Sequence, residues 1–190
     1  MKFNFLKTLG GFLIGLAIFI AGCGSEQPGQ DTPPRATFVP AVRFPDSNTV
    51  YLVESPPGQQ GNILTLEVQG FDINLGAVKE AQFNIDFSGS VVQFESFLEG
   101  GFLGAEDEVA YDIVTKPENP NRVFISISRT VNDPGKSGSG IFIKLRFKMV
   151  GIGSSPLSFS ESKLIQPNGQ EIVGFILKWF GGAIVNTGSR

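Results

Sequence analysis

Between Lys79 and Phe87 every second residue is apolar: Ala81, Phe83, Ile85 and Phe87 point one way, and Gln82, Asn84 and Asp86 the other. Strict alternation over this length is the signature of a strand in a sheet with one buried and one solvated face. The same period recurs elsewhere. Asn62–Gly70 sets Leu64, Leu66 and Val68 on one side, and Arg122–Thr130 does the same with Val123, Ile125 and Ile127. Gly140–Val150 alternates Ile141, Ile143, Leu145 and Phe147 against Lys144, Arg146 and Lys148. Past the N-terminus no long stretch carries the 3.6-residue spacing of an amphipathic helix. An all-β chain is expected.

Further strands are expected at Thr37–Phe44, Thr49–Glu54, Val91–Leu98, Val109–Thr115, Leu157–Ile165 and Glu171–Val185. Pro40 and Pro45 interrupt the first two of these, which suits an edge position for them. The inner face of Val91–Leu98 is ambiguous, because Val92 and Phe94 oppose Val91 and Phe97. Turn chemistry separates the runs. In Asp133-Pro134-Gly135 the proline presets φ and the glycine accepts an unusual backbone. Pro167-Asn168-Gly169 contains the strongest short hairpin signal. About nine or ten strands exceed a comfortable open sheet, so two packed sheets are expected. Eighteen phenylalanines supply the interior.

The N-terminus is an address. Lys2 and Lys7 precede an apolar run, Leu9–Ile20, of signal-peptide length, and Ile20-Ala21-Gly22-Cys23 follows. These residues resemble the lipobox of bacterial lipoproteins, which implies cleavage before Cys23 and lipid attachment to its thiol. The chain's only cysteine stands at the position such processing uses. Residues 1–22 are thus expected to be a signal peptide, and residues 23–35, polar and proline-bearing, a flexible tether. Residues 36–190 would form the folded domain. An exported protein held by lipid in the envelope, at the outer membrane or cell surface, is the expectation.

Composition removes whole classes of function. There is no histidine, so Ser-His-Asp and Cys-His catalysis and ordinary zinc or haem sites are excluded. The net charge of −3 becomes −5 once Lys2 and Lys7 leave with the leader, and the basic residues are scattered, which argues against nucleic acid. Gly135-Lys136-Ser137 lacks the first glycine and the helix of a phosphate-binding loop. Glu106-Asp107-Glu108, with Asp112, offers oxygens to calcium without EF-hand spacing. No carboxylate pair is singled out for glycoside hydrolysis. No cofactor, metal site or catalytic residue is expected. Trp179, with Tyr51 and Tyr111, could stack on sugars, but it shares a face with Val173, Phe175 and Leu177, which favours burial.

Several segments together resemble the cohesin domain. They are Gly61-Asn62-Ile63-Leu64-Thr65-Leu66, Ala81–Phe87, and Phe94-Glu95-Ser96 running into Gly100-Gly101-Phe102-Leu103. Gly138–Phe147, and Leu157-Ser158-Phe159 leading to Pro167-Asn168-Gly169, complete the set. They span about 120 residues, and the chain departs from the family where Phe87-Ser88-Gly89 replaces a frequent Tyr-Asp-Pro. The resemblance implies a nine-stranded jelly-roll sandwich, related to certain carbohydrate-binding modules, that docks a dockerin-bearing protein on one sheet face. It places that face on the strands carrying Gln82, Asn84 and Asp86, joined by Ser126 and Ser128. A carbohydrate- or cell-wall-binding lipoprotein, and a structural subunit of an envelope secretion or pilus assembly, are the alternatives.

Overall fold

The computed structural model describes residues 35–172 and 176–188. The expected leader, Cys23 and nearly all of the tether lie outside them, as do Val173 and Phe175. Among the described residues no helix is long and apolar enough to cross a membrane.

Twelve strands follow in order: β1 (Ala36–Pro40), β2 (Thr49–Glu54), β3 (Ile63–Val78), β4 (Glu80–Asp86), β5 (Val92–Glu99), β6 (Val109–Lys116), β7 (Asn119–Arg129), β8 (Lys136–Met149), β9 (Gly153–Ile165), β10 (Glu171–Ile172), β11 (Lys178–Phe180) and β12 (Gly182–Asn186). They build two sheets. The larger runs β1-β12-β9-β4-β7-β6, with β10 beside β9; the smaller runs β11-β2-β3-β8-β5. The chain crosses repeatedly between them, which makes an all-β, two-sheet sandwich of jelly-roll type. The ten expected segments become twelve strands because Glu171–Val185, expected as one strand, is divided among β10, β11 and β12 and serves both sheets. β1 is an edge strand, as Pro40 suggested, whereas β2, also expected at an edge, lies between β11 and β3, because Pro45 falls in the loop before it and leaves its own ladder intact.

The alternating residues meet in the middle. Ala81, Phe83 and Ile85 of β4 and Val123, Ile125 and Ile127 of β7 face Leu64, Leu66 and Val68 of β3 and Leu145 and Phe147 of β8; all are buried. Each large side chain so removed from water contributes about 1.5–3 kcal/mol. Trp179 is half-buried, its ring 5.6 Å from Phe83 and 5.2 Å from Phe159, so β11 is tied to the opposite sheet. The expected turns are present. Gly169 has φ +81° and its N–H reaches the Gln166 carbonyl, while the Gly135 N–H donates to the Asp133 carboxylate.

One side-chain direction differs from expectation. Val68 pairs with Ile143 and Gln69 with Ile141, so Phe142 is the extra residue of a bulge in β8. The bulge reverses the alternation beyond it, placing Phe142 inside at 1% exposure and turning Ile141 toward the rim. The room for Phe142 comes from two facing glycines. A Cβ on Gly70 would sit 2.9 Å from the Phe142 ring, and one on Gly140 would sit 2.9 Å from Phe102. Phe102 and Phe142 then meet edge to face at 4.6 Å. A second shift in β5, between Phe94 and Ser96, explains the ambiguity at Val91–Leu98: Phe94 and Phe97 both pack against the core.

The acidic segment Glu106–Glu108 is a 3-10 turn beside the start of β6. The Arg129 side chain, 1% exposed, lies 3.5 Å from Glu108 and forms a two-pronged contact with Asp133. Arg129 and the Gly135 N–H hold the Asp133 carboxyl below its usual range. Glu108 and Asp133 thereby serve a buried cation that the protein itself supplies. Among the described residues no group of three metal-ligating side chains is assembled.

Candidate functional site

The outer face of the larger sheet gathers the polar positions of β4 and β7. Antiparallel pairing sets Glu80 opposite Ser128, Gln82 opposite Ser126, Asn84 opposite Phe124 and Asp86 opposite Arg122. All five residues expected at a partner surface therefore share one face. Their surroundings differ from a plain solvated sheet. Asp86 accepts hydrogen bonds from Arg122 Nε (2.5 Å) and Ser160 Oγ (2.6 Å). Its carboxylate raises the Arg122 pKa further. Gln82 and Ser126 both donate to Glu80. These contacts fix side chains in place before any partner arrives.

Asn84 is not exposed. Gln82 pairs with Lys163 and Asn84 with Ser160, so β9 bulges at Glu161-Ser162, where Glu161 adopts φ +49°. The bulge lifts Glu161 over the neighbouring strand. Its carboxylate accepts the Asn84 amide at 2.9 Å and stands 3.7 Å from Arg122, which leaves Asn84 only 5% exposed. Glu161, with a side chain 73% exposed, presents the charge at this point. Bulges commonly re-aim a side chain in this way.

An open hollow of about 290 Å³ lies across β9, β4, β7 and β6, lined by Gln82, Asp112, Val114, Phe124, Ser126 and Glu161. Its apolar side is Phe124 and Val114, cross-strand neighbours, the latter 41% exposed. Lys116 lies 4.4 Å from the centre of the Phe124 ring, a cation–π distance. Phe124 carried a signal in the sequence, as the one large apolar residue on the polar phase of Arg122–Thr130. Glu161 carried a fainter one, because Ser160-Glu161-Ser162 interrupts the alternation of its strand.

The aromatic rings considered for sugar stacking are engaged elsewhere. Trp179 packs against Phe83 and Phe159, Tyr111 stacks on Phe97 and donates to the Gly100 carbonyl, and Tyr51 donates to Gln69. What the surface offers is a small apolar patch bordered by preset polar groups.

No family model matches the chain, and no curated protein does. Solved structures do resemble it. A non-cellulosomal cohesin from the archaeon Archaeoglobus fulgidus matches with a TM-score of 0.53 at 15% identity, covering 82% of this chain and 92% of that one. The second type II cohesin module of the adaptor ScaA scaffoldin of Acetivibrio cellulolyticus gives 0.55 at 18% identity, covering 83% and 98%. A type II cohesin–X-dockerin complex from Acetivibrio cellulolyticus gives 0.55 at 16% identity, covering 70% and 95%. At these identities the likeness is one of architecture: this domain has the cohesin β-sandwich fold.

Proposed function

We propose that this chain is a non-catalytic docking module that holds a protein partner of the dockerin kind on the outer face of β9, β4, β7 and β6. The observation that carries the reading is the Phe124–Val114 patch, with Ser126 and Gln82 preset around it and Glu161 and Asp112 at its border. The fold shared with cohesins, one of them solved in complex with a dockerin, supports it. The border chemistry narrows the partner. It should offer an apolar side chain to the hollow and a Lys or Arg to Glu161 or Asp112.

Capture experiments with the purified chain test this reading. Mass spectrometry should identify a captured protein bearing a dockerin-like repeat, and calorimetry then measures its binding. Val114→Arg and Ser126→Arg should each weaken binding at least about tenfold, some 1.4 kcal/mol, with circular dichroism unchanged. Unaltered affinity in both variants removes this face from consideration.

The module is exported, in this reading, and held in the envelope by lipid on Cys23, with residues 23–35 as its tether. The lone cysteine after Ile20-Ala21-Gly22 supports that placement. Cys23→Ser should leave the protein unprocessed or free it from the membrane fraction. Normal lipid labelling of that variant would refute the assignment.

A further inference from the structure

The opposite side of the sandwich carries a second arrangement that docking on the larger sheet does not use. On the outer face of the smaller sheet, Glu67 is only 5% exposed although it lies on the solvent side of β3. Ser55 Oγ and Lys144 Nζ hold one of its oxygens at 2.7 and 2.8 Å, and the Gln69 amide holds the other at 2.6 Å. Glu67 thus neutralises Lys144. Arg146, two residues further along β8, is half-buried and has no such counterpart; its guanidinium contact is Ser96 Oγ at 3.5 Å. Among the described residues no carboxylate pairs with Arg146 or with Lys148 beyond it. Glu95, in the β5 bulge nearby, makes no ion pair with either. The chain as a whole is acidic, so this cationic row stands out.

Beside the row is a hollow of about 210 Å³, lined by Ser55, Pro57, Gln60, Thr65, Lys144 and Arg146 among others. Arg146 lines this hollow, and its guanidinium has donors beyond the one at Ser96 for a ligand to engage. A carboxylate does so with two parallel bonds. Gln60 and Thr65 line the same space, and Pro56, Pro57 and Leu98 give it apolar surface. Hydroxyl-seeking groups and an apolar wall around one carboxylate receptor match an acidic sugar ring. Arg146 and Lys148, which no carboxylate of the described residues pairs with, project from one strand at two-residue spacing, roughly 7 Å apart, which suits a polymer with repeated carboxylates.

We infer that the outer face of β3 and β8 binds a uronic-acid-containing polysaccharide, with Arg146 as the carboxylate receptor and Thr65 and Gln60 on the sugar hydroxyls. The site is independent of the partner face on the other sheet.

Titration of the full chain with trigalacturonate, followed by calorimetry and by backbone amide NMR, tests it. Binding should appear with shifts at Thr65, Lys144 and Arg146, and should weaken as salt is raised. Arg146→Gln should reduce affinity about tenfold or more, while Lys178→Gln, at the distant Asp46 pair, should match the parent protein. Equal binding of neutral trigalactose would overturn the proposal, as would equal or tighter binding of oligoglutamate. Shifts confined to the larger sheet, or no saturable binding, would also overturn it.

Discussion

Phe83 is the place where a single truncation should most directly test the packing argument. Its ring is 1% exposed, lies under the hollow of the larger sheet, and meets Phe159 and Trp179 at 5.6 Å each. Phe83→Ala loses the transfer term of most of a Phe ring, about 1.5–3 kcal/mol. It also loses two aromatic contacts worth about 0.5–1.5 kcal/mol each. Phe159 and Trp179 are part-exposed and have freedom to lean into the space, which trims the cavity penalty. The expected cost is therefore about 3–4 kcal/mol, inside the range for buried Phe→Ala changes. For a domain of this size that corresponds to a fall in Tm of roughly 6–16 °C. Urea unfolding followed by Trp179, the only tryptophan, reports both the global transition and the local environment. The midpoint should drop with little change in slope. A loss below about 1 kcal/mol would refute the claim that this aromatic cluster couples the two sheets.

Two further perturbations probe other links. Burial is the largest influence on Glu67 and disfavours its charge, but hydrogen bonds from Lys144, Ser55 and Gln69 and the Lys144 charge outweigh it, so its carboxyl titrates below the usual range. The stability this supplies is complete above the unfolded-state value near 4.5 and is lost as pH falls through the lower folded value; Glu67→Gln should flatten that part of an acid-unfolding curve, and an unchanged curve would contradict the assignment. At Gly181, between β11 and β12, a Cβ would run into the carbonyl oxygen of Leu157, so Gly181→Ala should cost about 2 kcal/mol in a thermal-shift series. A neutral result there would mean that β9 and β12 pack less closely than the structure shows.

Most of the interior was legible as period two. Ala81, Phe83, Ile85, Leu64, Leu66, Val68, Val123, Ile125 and Ile127 are buried as alternation demands, because regular antiparallel pairing preserves the phase along each strand. Phase is lost at bulges. Phe142, the Phe94–Ser96 segment and Glu161 each sit at a register shift, and each departs from simple alternation. The candidate face was legible in the same measure: Gln82, Asp86, Ser126 and Ser128 follow the solvent phase of β4 and β7. Asn84 follows it too, yet is covered by a residue 77 positions away.

The residue order alone was enough for an all-β chain, the inward-facing sets away from bulges, the turns at Asp133-Pro134-Gly135 and Asn168-Gly169, and the exclusion of histidine chemistry. These rest on local sterics and on a two-residue repeat, which need no knowledge of neighbours. Tertiary structure decided which strands lie side by side, where the bulges fall, how Arg129 engages Glu108 and Asp133, and why Arg146 is left without a carboxylate partner. Those outcomes depend on distances between segments far apart in the chain, and only the closed sandwich sets such distances.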